Sequence, residues 1–217
     1  MQDGAMAIVC AIRPHDTYYF QNVIFEVGCT HYRVPKGCLD YKGTPFPDLF
    51  APLTLKDDNG DYAEPIRLEG ISEKQFEGFL RAVFPIFGTP FPTESVIGAL
   101  ELAVKWNFSK LQVDLTNQLE PSIKDLSLHE TIRIARLSRK RKWLVDVFVD
   151  LIDHRKPLEL VALMQNGIDA STVAKLLEIR ERFANVSAKP STESLVADCF
   201  SAELKNMGIW EFNTDTC

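Results

Sequence analysis

Apolar residues follow two different rhythms along this chain. From 18 to 34 it is rich in Tyr, Phe, Val and Ile, and Val23-Ile24-Phe25-Glu26-Val27-Gly28 followed by His31-Tyr32-Arg33-Val34 predicts two strands around a short turn. Prolines and small residues between Pro35 and Pro52 leave room only for short helices. Lys56-Asp57-Asp58-Asn59-Gly60-Asp61 is a polar loop of turn formers, and Pro65-Ile66-Arg67-Leu68 predicts a third strand. After Leu68 the spacing lengthens: Phe76, Phe79, Leu80 and Val83 recur at three and four residues, with Ser72 and Gln75 placed as a capping box. Pro85 stops that helix, and Thr93 is placed to cap the next. The apolar residues of this second helix, Ile97, Leu100 and Val104 with Ala99, Leu102 and Trp106, cover two faces and predict a central position. Further helical patterns run through 108–119, 127–142, 144–154, 158–165, 171–183 and 192–206, separated by Pro121, Pro157, Gly167 and Pro190.

Strands confined to the first third and helices thereafter predict an α+β fold, a small sheet flanked by helices, followed by an all-helical C-terminal extension. The expected division is an N-terminal segment 1–17, an α+β domain 18–120 joined to a helical extension 121–206 near Glu120-Pro121, and a loosely held tail 207–217. The stretch from Asn185 to Ser194 reads as a loop before the last helix, and neither internal repeats nor low-complexity tracts occur.

Composition narrows the class without naming a function. The 217 residues are 46% hydrophobic and 25% charged, with a net charge of −6. That is ordinary for a globular chain long enough to bury roughly 70% of its unfolded surface without metal or disulfide staples. The acidic balance gives no overall field for phosphate backbones, so nucleic acid is not the expected partner. Cys10, Cys29, Cys38, Cys199 and Cys217 are an odd number without paired spacing, as in a reducing compartment. Ala7-Ile8-Val9-Cys10-Ala11-Ile12 is too short for a signal core, and no stretch is apolar over the roughly 20 residues of a membrane helix. A soluble intracellular protein of cytoplasm or nucleus, without membrane attachment, is expected.

Few residue groups carry a chemistry. Asp57, Asn59 and Asp61 alternate as in a calcium loop, but Tyr62 and Leu68 stand where the turn glycine and the bidentate glutamate belong. Cys29 and His31 on one strand face, with Cys38 nearby, offer three zinc ligands where a structural site wants four, so no metal is expected. No phosphate loop, dinucleotide fingerprint or nucleophile elbow occurs, and no cofactor is expected. His129 with Glu130, and His154 with Asp153, are helix neighbours that point apart. Asn107-Phe108-Ser109 and Asn185-Val186-Ser187 are chance matches to the glycosylation pattern. Arg133, Arg136, Arg139, Lys140, Arg141 and Lys142 form a basic run that reads as a solvated helix face, with a nuclear address or phosphate-binding strip as the alternative. The Pro-rich connection 85–92 sets Phe84, Ile86, Phe87 and Phe91 together, either tucked into the core or forming a partner-binding surface with Glu94 at its edge.

The element order and several strings resemble the BTB/POZ domain, in particular the BTB proteins numerous in mushroom-forming fungi. The strings are Tyr18-Tyr19-Phe20 with Val23-Ile24-Phe25-Glu26-Val27, Tyr32-Arg33-Val34-Pro35, Thr44-Pro45-Phe46 with Asp48-Leu49-Phe50, and above all Pro65-Ile66-Arg67-Leu68-Glu69-Gly70-Ile71-Ser72 continuing to Phe84-Pro85. Lys105-Trp106-Asn107-Phe108, Leu126-Ser127-Leu128, Ile134-Ala135-Arg136, Trp143-Leu144 and Arg155-Lys156-Pro157-Leu158 extend the similarity over about 18–183. The resemblance implies a protein-interaction module without catalysis, homodimeric through an N-terminal segment and a first helix at about Pro35 to Tyr41. It makes Ile8, Val9, Ile12, Leu39 and Tyr41 dimer-interface candidates, and implies a role as substrate adaptor for a cullin-based ubiquitin ligase. Asn22 and Pro35 stand where many BTB domains have an acidic residue and a histidine, and Phe91-Pro92-Thr93-Glu94 is one residue longer than the hydrophobic-x-Glu motif of cullin binders. Two other readings remain at this stage, a nuclear regulator using the basic helix 133–142 and an enzyme using Cys29, Cys38 or a histidine.

Overall fold

A computed structural model describes residues 13, 15, 20–53, 64–85, 91–153, 160–165, 168–185 and 191–208. The chain forms two compact units, Met1–Phe76 and Glu77–Cys217. The expected join at Glu120-Pro121 lies inside the second. The architecture is α+β, with a small sheet in the first unit and helices dominating the second.

In the first unit β1 (Asn22–Val27) and β2 (Thr30–Pro35) pair as an antiparallel hairpin, with Val27 opposite Thr30. Strict alternation does the sorting: Val23, Phe25 and Val27 are fully buried while Asn22, Ile24 and Glu26 are half-buried on the other face. The two-residue turn is Gly28-Cys29, and Gly28 has the positive φ of 60° that a tight hairpin turn requires at its first position. A side chain at Gly28 would also strike the Glu73 carboxylate, whose Oε1 accepts the Cys29 amide at 3.0 Å and ties the hairpin tip to the following helix. β3 (Ile66–Arg67) joins β1 in parallel, giving the order β2-β1-β3. The Glu26 carboxylate binds Arg67 at 2.8 Å and faces His31 at 3.6 Å.

Between β2 and β3 lie a 3-10 turn (Lys36–Cys38) and α1 (Phe46–Phe50). A single 3-10 turn thus stands where a first helix from Pro35 to Tyr41 was expected. Phe46 and Phe50 come off α1 onto Phe25, with ring centroids 5.9 and 6.4 Å away, and Phe76 closes the same cluster at 5.5 Å. Tilted and edge-on rings at these distances add about 0.5–1.5 kcal/mol per pair beyond the burial itself.

The unit boundary falls within α2 (Glu73–Val83). Its start is the expected capping box: Gln75 N–H donates to Ser72 Oγ, and Ser72 N–H donates to Gln75 Oε1 at 3.0 Å. In the second unit α3 (Thr93–Lys105) is central as its two apolar faces require, with Ile97, Ala99, Leu100, Leu102 and Ala103 buried. Thr93, however, is the first helical residue and not the cap. The Pro92 carbonyl accepts the first helical bond, from Val96 N–H at 3.0 Å, and Pro92 offers no side-chain acceptor. Gly78 is needed where α2 approaches α3, because a Cβ there would lie 2.6 Å from the Ser95 carbonyl oxygen. Phe79 packs edge-on against Trp106 and Phe108 at 4.7 and 5.3 Å.

Two helix ends turn through left-handed residues that are not glycine. After α3, Asn107 has φ 58°, with Phe108 N–H bonded to the Ala103 carbonyl and Asn107 N–H to Val104, and the chain enters α4 (Ser109–Leu119). Beyond the 3-10 segment Glu120–Asp125 comes α5 (Leu128–Leu137), opened by a Ser127/Glu130 capping box. It ends in the same way as α3: Arg139 has φ 54°, Lys140 N–H bonds Ala135 and Arg139 N–H bonds Arg136. The single helix expected over 127–142 is therefore two, and α6 (Arg141–Asp153) starts three residues before its expected position. α7 (Leu160–Gln165), α8 (Ala170–Asn185), α9 (Thr192–Cys199) and α10 (Ser201–Gly208) follow. α9 and α10 replace the continuous helix expected over 192–206. The break is at Phe200, which is buried and stacks on Phe148 of α6 at 4.3 Å. α6 packs against α5, α8, α9 and α10 and is the hub of this bundle.

Candidate functional site

The basic run 133–142 is divided by the Arg139 turn into parts with different roles. Arg133 and Arg136 lie on α5, Arg139 and Lys140 form the link, and Arg141 with Lys142 opens α6. Arg136 is an internal tie. Its Nε donates to Glu203 of α10 at 2.7 Å, one terminal nitrogen to Asp169 at 3.0 Å and the other to Thr172 Oγ1 at 2.6 Å. Asp169 in turn caps α8, accepting from the Thr172 amide at 2.9 Å, from Thr172 Oγ1 at 2.7 Å and from Ser171 Oγ at 2.7 Å. Loss of solvent raises the cost of ionising Asp169, but the hydrogen bonds from Ser171, Thr172 and Arg136 outweigh it and hold the carboxyl far below the usual carboxylate range. Burial likewise opposes the charge on Arg136, and its bonds to Glu203 and Asp169 outweigh that, raising its pKa.

Beside this tie lies a groove of about 460 Å³ lined by Glu101 of α3, by His129, Ile132, Arg133, Arg136 and Leu137 of α5, and by Ile168 before α8. Its lining is set by helical spacing, since 129, 132, 133 and 136 fall on one face. Arg133 meets Glu101 through one terminal nitrogen. Sequence reading singled out the arginines and missed Glu101, Asp169, Thr172 and Glu203. Only the Asp169-x-Ser171-Thr172 string, a recognisable helix start, marked any of these in advance.

The other expected site residues are scattered. Leu39 is fully buried, whereas Tyr41 is 55% exposed, as is Phe20. A second copy can be met only by exposed atoms, so Tyr41 is the member of the interface set that offers surface among the described residues. Ile8, Val9 and Ile12 lie outside them, as do Ile86 and Phe87, the polar loop 57–61 and the side chain of His154. Phe84 and Phe91 are half-buried and Glu94 is exposed.

Cys29 sits in the hairpin turn and not on the strand face of His31, because the ladder begins at Thr30. Among the described residues no three His, Cys, Asp or Glu side chains converge as a metal site would need. Burial raises the Cys38 thiol pKa, the opposite of what activates a nucleophile, and burial is also the largest influence in raising that of Cys199. Among the described residues no helix is long and apolar enough to cross a membrane.

Comparison with known protein families, with curated proteins and with solved structures gives no match to this chain.

Proposed function

We propose that this chain is a protein-interaction module of the BTB/POZ type carrying a helical extension, self-associating through its first unit and without catalytic activity. The observation that carries this reading is the first unit's topology. A tight hairpin, short helical turns and a third strand returning parallel to β1 are followed directly by α2 and α3, the order that the sequence resemblance implies. Tyr41 and Phe20, each 55% exposed on that unit, supply apolar contact area of the kind interfaces favour.

Light scattering at high micromolar concentration tests the reading. A dimer that Tyr41→Glu converts to monomer supports it, and a wild-type monomer at the highest concentration overturns it. A cullin adaptor role is a finer version of the same proposal and places Phe84, Phe91 and Glu94 at the contact. A cullin N-terminal fragment should then be retained by the wild-type chain and lost on Phe91→Ala. The nuclear-regulator reading is weakened because the basic run is no single helix and Arg136 is engaged internally.

A further inference from the structure

We draw no further inference here: the strongest candidate, the surface patch of Lys140, Arg141 and Lys142 where α5 turns into α6, is a run of cations at a helix N-terminus, and nothing in the structure shows what group covers it.

Discussion

Phe25 in the first unit touches three aromatic rings, while Arg136 in the second gathers two carboxylates and a hydroxyl. Each joins elements distant in sequence, β1 with α1 and α2 in one case and α5 with α8 and α10 in the other. Ring packing depends on the area removed from water and is indifferent to pH. The arginine tie depends on charge and on how fully each partner is satisfied. The sheet unit is therefore expected to fail by loss of volume, the helical unit by protonation of a carboxylate or loss of a charge.

The largest test of that contrast is Phe25→Ala, which empties a fully buried site shared by Phe46, Phe50 and Phe76. It should cost about 3–5 kcal/mol in guanidinium unfolding, by the same amount at pH 7 and at pH 4. A cost below about 1 kcal/mol would show that the cluster is not the unit's core.

Arg136→Met should cost less, about 2 kcal/mol, because it strips bonded partners from Asp169 and Glu203 while those carboxylates keep partial access to water. Its signature is pH dependence. Asp169 has a depressed pKa in the folded chain, so its contribution is fully present above the ordinary carboxylate range, about pH 4, and is lost as pH falls toward the folded value. Removing the Arg136 hydrogen bond brings that pKa back toward normal. The variant should therefore lose less stability than wild type between pH 5 and pH 2, a flatter acid limb in urea titrations. An unchanged limb would mean that the α8 cap alone sets the Asp169 carboxyl.

The smallest effect is expected at the helix break. Arg139→Gly relieves a left-handed conformation worth about 1 kcal/mol for a residue with a Cβ, and part of the gain is returned through the freer unfolded chain. Thermal unfolding should show a rise of a few tenths to about 1 kcal/mol. A fall would mean that the arginine side chain contributes more to the turn than its backbone costs.

Much of the fold was legible because the relevant physics is local. Alternation at Val23, Phe25 and Val27, a glycine at the hairpin tip, the Ser72/Gln75 box and stops at Pro85 and Pro121 each act within a few residues. The breaks at Arg139 and Phe200 were not legible. A left-handed turn is ordinarily marked by glycine, and Phe200 ends its helix in the setting of a stack on Phe148, far away in the chain. The site divided in the same manner. Six cations at 133–142 were visible as a string, but which are consumed and which are offered depends on Glu101, Asp169 and Glu203, whose approach no spacing announces.

Secondary-structure type, the order of elements and the acidic, helix-rich character follow from periodicity and composition, because those forces are short-ranged and additive along the chain. Long-range packing decided the division at α2, the splitting of the basic run and the groove between Glu101, α5 and Ile168. An ion pair or a stacked ring is specified by two distant residues together, and neither residue carries the information alone.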